Sequence, residues 1–109
     1  MANVSFQAAG ETLYGYLSGE IDHDSAQMLR AAADAELDRR MPARLVLDFA
    51  GVGFMDSSGI GLILGRQRHM QALGGSLCIR SAPAQIGKVL ELAGIENMKE
   101  ANKSKRKTK

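Results

Sequence analysis

The chain has 109 residues, 45% of them hydrophobic and 5% aromatic with no tryptophan, which suits one small domain whose core rests on Leu, Ile, Val, Met and Ala. A single cysteine, no apolar run near the ~18 residues of a membrane span and no charged-then-apolar leader argue against an internal disulfide, a thiolate zinc site and a membrane segment, and point to a soluble, cytoplasmic protein. The net charge of +2 is split: residues 1–98 carry eight Arg or Lys against eleven Asp or Glu, and residues 99–109 carry six against one, so the basic character belongs to the tail.

Val4, Phe6 and Ala8 alternate with polar neighbours, and Gly10-Glu11 offers a turn. Leu13, Gly15 and Leu17 then alternate with Tyr14 and Tyr16, so the chain to about Gly19 reads as an antiparallel hairpin. From Ser25 to Met41, apolar residues recur every fourth position at Leu29, Ala33, Leu37 and Met41; this is an amphipathic helix that Pro42 ends. Arg44 to Phe49 is a strand, and its continuous Leu45-Val46-Leu47 run suits a central position covered by helices. Gly51 to Met55 leads into Asp56-Ser57-Ser58-Gly59 and a second helix from Ser57 to about Leu73, stopped by Gly74-Gly75. Its expected buried stripe is Ile60, Ile63 and Leu64 with Gln67, leaving Leu62 and Arg66 nearer the surface.

Ser76 to Arg80 forms a fourth strand with Cys78 as a small buried hydrophobe. Pro83 opens a third helix with Ile86, Val89, Leu90 and Ala93 inward, and Gly94 closes it. Strand, strand, helix, strand, helix, strand, helix is the order of an α/β fold, a mixed sheet with parallel neighbours joined by right-handed crossovers. The folded domain is read as residues 1–98, and residues 99–109 as a basic, disordered extension, solvated rather than bound to nucleic acid.

Functional weight falls on Asp56-Ser57-Ser58-Gly59. The segment leaves the carboxyl end of a central strand, where open α/β sheets display functional groups. Ser57 and Ser58 stand at a helix start, so a phosphate there meets free N–H groups and the positive end of the helix dipole. The same residue types also serve simply as a helix cap, and spacing alone leaves both roles open. Catalytic motifs fit poorly. A nucleophile elbow needs Gly-x-Ser-x-Gly, a P-loop needs Gly-Lys-Ser/Thr, and the glycines at 59, 61 and 65 miss the dinucleotide fingerprint by one position. A small hydrolase using Ser57 or Ser58 is therefore the weakest class. Each glycine costs about 1 kcal/mol in a helix interior, so in the second helix that cost must be offset by close packing on the sheet or by a partner's approach. His23 and His69 have no companion at metal-ligand spacing, and no metal or cofactor is read from the chain.

Three segments carry a family resemblance: Leu17-Ser18-Gly19-Glu20-Ile21-Asp22, Leu45-Val46-Leu47-Asp48-Phe49, and the stretch from Phe54 to Arg66. Together they are similar to STAS domains, specifically the bacterial anti-sigma-factor antagonists of the sporulation and stress-response type. The resemblance implies a STAS-like mixed sheet of four to five strands with helices mainly on one face, and a binding protein rather than an enzyme. It implies that Ser57, the first serine of the motif, is phosphorylated by a partner that is both anti-sigma factor and serine kinase. The unmodified protein binds that partner and thereby frees a sigma factor; a phosphatase of the PP2C type resets the switch. The implied partner-binding surface comprises Asp22, His23, Asp24, Asp56, Ser58, Gly59 and Ile60, with no direct nucleic-acid or membrane contact. A STAS module acting as a scaffold or nucleotide sensor with another partner is the alternative. Relatives carry a final strand and helix after the position of Gly94-Ile95, whereas Glu96 to Ala101 makes a poor strand here, so an absent or reduced final helix is expected.

Overall fold

A computed structural model describes residues 1–99 of the chain. Strands β1 (Ala2–Ala9) and β2 (Thr12–Ile21) form the antiparallel hairpin. β2 runs parallel to β3 (Arg44–Met55), and β3 parallel to β4 (Ser76–Arg80), in the order β1-β2-β3-β4. Helices α1 (His23–Arg40), α2 (Ser57–Ala72) and α3 (Ala84–Leu92) alternate with the strands, followed by a 3-10 turn at Glu96–Met98. The architecture is the expected α/β mixed sheet.

Strand alternation sorts the sheet into two kinds of row. Leu13, Leu45 and Leu77 stand side by side across three strands, as do Gly15, Leu47 and Ile79. These rows pack with Leu29 and Leu37 of α1, Ile63 and Met70 of α2, and Ile86 and Leu90 of α3 in one core. The intervening rows are Tyr14, Val46 and Cys78, then Tyr16, Asp48 and Arg80. On that face Arg80 Nε donates to Asp48 Oδ2 at 3.0 Å, and its guanidinium lies 5.0 Å from the Tyr14 ring centre. Asp48 and Val46 are buried on that face, where Tyr14, Tyr16 and Arg80 form an aromatic and cationic layer.

Several local expectations change. β3 continues six residues past Phe49, because Ser18 to Ile21 of β2 go on pairing with it through two register shifts. A Cβ at Gly51 would stand 3.0 Å from that of Ser18, so glycine suits the close approach. α1 ends at Arg40, and Met41 turns left-handed with φ 47 and points to solvent instead of extending the buried stripe. Pro42 disfavours helical geometry in the residue before it. Cys78 is only half-buried, with Arg44 Nη2 donating to its sulfur at 3.4 Å. In α3, Ile86 and Leu90 are buried and Ala93 is exposed just beyond the helix end. Residues 96–98 form the 3-10 turn, and Lys99 makes one isolated parallel bridge to Ile79 where a fifth strand was possible. The expectations for residues 100–109 lie outside the described residues.

The buried stripe of α2 is Leu62, Ile63, Arg66 and Met70, while Ile60, Leu64 and Gln67 are half-buried. The sequence reading assumed that α2 buries one face against the sheet; α1 covers a second face. Arg66, only 6% exposed, has Nε 2.8 Å from Asp34 Oδ1 of α1. The contact has ion-pair distance without hydrogen-bond alignment, and burial lowers the guanidinium pKa. Beside it His69 bridges two turns of α1: Nδ1 lies 2.8 Å from Asp34 Oδ1 and Nε2 lies 2.8 Å from Asp38 Oδ1. Both nitrogens can donate only in the imidazolium, and the Asp34 hydrogen bond raises the His69 pKa above 6.5 despite partial desolvation.

The glycines of α2 divide by environment. A Cβ on Gly59 would fall 2.2 Å from Met55 Cγ, whereas Gly61 and Gly65 have nothing within 4 Å. Close packing therefore accounts for Gly59 and not for the other two.

Two predictions follow from these contacts. The clasp stability that His69 adds is full below about pH 6.5, the unfolded value, and declines as pH rises through the higher folded pKa. Urea unfolding of His69→Gln should therefore differ most from the parent at pH 5.5–6, and the gap should narrow towards pH 9. Equal gaps across that range would contradict the doubly bonded imidazolium. Gly59→Ala should destabilise by about 1–3 kcal/mol through overpacking, while Gly61→Ala and Gly65→Ala should stabilise by up to about 1 kcal/mol; urea midpoints with unchanged slopes distinguish the two classes.

Candidate functional site

β2 and β3 end in register at Ile21 and Met55, and the Asp56 N–H donates to the Ile21 carbonyl at 3.1 Å. The next residue of each strand, Asp22 and Asp56, therefore emerges at the same sheet end. Each is a helix N-cap. Asp22 Oδ1 accepts from the Ser25 N–H at 3.0 Å, and Ser25 Oγ accepts from the Asp22 N–H at 2.9 Å, a reciprocal capping box. The Ser25 amide, then its hydroxyl, hold the Asp22 carboxyl below its usual range. Asp56 Oδ1 accepts from the Ser58 N–H at 2.8 Å, and its carbonyl accepts from the Gly59 N–H at 3.0 Å. Two helices thus present their positive dipole ends at one edge of the sheet.

Ser57 is the first residue of α2 and is exposed. Ser58 is half-buried behind it, with its backbone committed to the cap. Asp22, His23 and Asp24 are exposed across from Ser57 on the start of α1, and Asp56 is half-buried between them. Gly59 is buried against Met55, and Ile60 packs partly on the core, so these two shape α2 from within rather than meet solvent directly. His23 lines a groove with Gln27, Arg30 and Ser58, and among the described residues no group of three His, Cys, Asp or Glu is placed to hold a metal. Among the described residues, no helix is long and apolar enough to cross a membrane.

Two shallow grooves lie near this sheet end. One, about 240 Å³, lies between α1 and α2 and is lined by His23, Gln27, Arg30, Ser58 and Gly61. The other, about 190 Å³, lies between the end of β3 and α3, with Phe54, Met55, Gln85, Ile86 and Val89 around it. The sequence reading missed Gln27, Arg30, Phe54 and Gln85. His23, Gln27 and Arg30 follow i, i+4, i+7 spacing and were legible as one face of α1. Gln85 was not legible, because only the folded chain brings its Nε2 to 2.6 Å from the Gly53 carbonyl.

Chemically, the edge offers an accessible hydroxyl at a helix start, surrounded by carboxylates. A phosphoryl group on Ser57 Oγ would sit at the positive end of α2. No base is hydrogen-bonded to either serine hydroxyl among the described residues, which does not favour Ser57 or Ser58 as a nucleophile.

Comparison with known proteins gives the family of the fold. Residues 4–100 match the family described as Mlab, STAS domain. An anti-sigma F factor antagonist of Paenibacillus polymyxa is 35% identical over 79 residues, covering 72% of this chain and 68% of that protein. A second, from Lysinibacillus sphaericus, is 33% identical over 85 residues, covering 78% of this chain and 73% of that one. Among solved structures, the anti-sigma factor antagonist SpoIIAA in its unphosphorylated form is similar with a TM-score of 0.80 at 25% identity, covering 94% of this chain and 92% of the other. The Bacillus cell fate determinant SpoIIAA in its phosphorylated form gives 0.71 at 25% identity, covering 94% and 96%. With the fold and these matches in agreement, the chain belongs to the STAS-domain family, and its relatives there include anti-sigma-factor antagonists.

Proposed function

We propose that this protein is a cytoplasmic anti-sigma-factor antagonist, a binding protein rather than an enzyme, whose affinity for an anti-sigma factor with serine kinase activity is switched at Ser57. The observation that carries the reading is the exposed Ser57 hydroxyl at the first position of α2, between two capped helix starts. A kinase can reach it without unfolding the chain. In the unmodified state, the edge formed by Asp22, His23, Asp24 and Asp56 with Ser58 receives the partner, and Gly59 and Ile60 hold α2 in position beneath it. Docking there displaces or excludes the sigma factor.

Phosphorylation adds about −1.5 to −2 charge at neutral pH. The helix dipole and nearby N–H groups favour that charge in the free protein, so the fold tolerates it. In the complex, the same charge joins Asp22, Asp24 and Asp56 against whatever acidic or closely packed group the partner places opposite, and binding is lost. No rearrangement of the sheet is required. Both the unphosphorylated and the phosphorylated SpoIIAA structures match this fold at TM-scores of 0.80 and 0.71, which supports a switch without refolding. A PP2C-type phosphatase would remove the phosphate and restore binding.

Gly61 and Gly65 fit the same reading. Neither is needed by internal packing, and each weakens the helix; a partner backbone close to α2 would explain both.

Incubation of the protein with the source organism's anti-sigma factor and ATP should place one phosphate on Ser57, mapped by mass spectrometry. Ser57→Ala should accept none and remain in the complex. Ser57→Asp should bind about tenfold or more weakly, as like-charge juxtaposition costs several kcal/mol. Binding of Ser57→Asp as tight as that of the parent would contradict the switch.

A further inference from the structure

The groove between the end of β3 and α3 has no role in the account above. β3 runs on to Met55, but β4 pairs with it only as far as Asp48, so the last part of β3 lies beside α3 instead of a strand. Gln85 Nε2 donates to the Gly53 carbonyl at 2.6 Å and holds the start of α3 against that free edge. The result is a recess of about 190 Å³ lined by Phe54, Met55, Ile86 and Val89, with Gln85 and Gly53 at its rim. Phe54 is 51% exposed there, three residues before the exposed serine.

The surroundings say what kind of group fits. Among the described residues, no Arg, Lys or His lines the recess. Phe54 is the cross-strand neighbour of Glu20, and the following pair, Ile21 and Met55, leads directly to Asp22 and Asp56. Glu20 is bonded to the Met1 ammonium at 2.7 Å, whereas the Asp22 and Asp56 carboxylates serve as helix caps at the same sheet end. An apolar recess whose Met55 wall is followed directly by Asp56, with Asp22 at the same sheet end, is complementary to an apolar side chain flanked by cations. Aromatic side chains, Phe among them, contribute strongly to interface energetics through the area they bury.

We propose that Phe54 is the apolar anchor of the docking surface, and that the partner which meets Ser57 inserts an aliphatic or aromatic side chain between Phe54 and α3, with Arg or Lys beside it facing Asp22 and Asp56. The inference rests on the reading of Ser57 as a switch. It adds a division of labour: the recess supplies affinity, and the serine supplies control. A phosphate on Ser57 then needs only to oppose binding at one border of a contact whose apolar centre lies elsewhere.

The test uses the full chain and the source organism's purified anti-sigma factor, with affinity measured by titration calorimetry and phosphate incorporation followed at Ser57. Phe54→Ala should weaken binding by about tenfold or more, Phe54→Leu should stay within about threefold of the parent, and all should melt alike because Phe54 is half exposed. At saturating anti-sigma factor, Phe54→Ala should be phosphorylated at the parental maximal rate, showing that only affinity has changed. Parental binding that is tight, with Phe54→Ala within twofold of it, overturns the anchor and leaves the switch intact. A parent that neither binds nor is phosphorylated overturns both. If sedimentation shows a dimer that Phe54→Ala converts to a monomer, a second copy occupies the recess and the proposal is wrong.

Discussion

The hydrogen bond from the Asp56 N–H to the Ile21 carbonyl, 3.1 Å long, closes the parallel pairing of β2 and β3 at its far end. It fixes where both strands stop, and hence where α1 and α2 start. Without it, Asp22 and Asp56 would cap two helices that began at unrelated heights. With it, both caps, both positive helix ends and the Ser57 hydroxyl share one edge. The bulged register of β2 on β3 serves the same outcome, since it lets two strands of different length finish together.

Away from that edge, the two helices are tied by charge rather than by apolar packing alone. Asp34 faces both Arg66 and His69, and Asp38 takes the second imidazole nitrogen. A buried guanidinium is a poor source of net stability, but it resists sliding of α2 along α1. The two helix starts are therefore held in a fixed relative position, as the proposed change of charge at Ser57 requires. Capping and switching become one arrangement: the polarity that welcomes Asp56 at the start of α2 also accommodates a phosphate one residue later.

Much of this was legible in the sequence. The four strands and three helices lie close to their expected positions, because Leu13, Leu17, Leu45 and Leu47 alternate or run continuously as a covered sheet demands. The helix start at the serine segment was also legible, since Asp-Ser-Ser-Gly after a central strand suits a cap, and Asp56 is the N-cap of α2. The face of α2 was misjudged for a physical reason. Leu62 and Arg66 are buried by α1, and helical periodicity shows how wide an apolar stripe is without showing that a second helix will cover a charged residue beside it. His69 looked isolated because its partners are thirty-one and thirty-five residues away in sequence. The length of β3 was hidden by Gly51 and Gly53, which weaken a strand signal although pairing with β2 carries the strand through them. The recess at Phe54 arises from a strand outrunning its neighbour, a property of topology that no local pattern encodes.

The central claim is that a charge placed on Ser57 changes binding and leaves the fold alone. Backbone amide chemical shifts of the free protein, before and after complete phosphorylation of Ser57, test this most directly. The account predicts changes confined to the ends of β2 and β3 and the first turns of α1 and α2, with Leu45, Ile79 and Leu90 unmoved. Shifts spreading through β1, β4 and α3 would show that the phosphate reorganises the sheet, and would contradict the account.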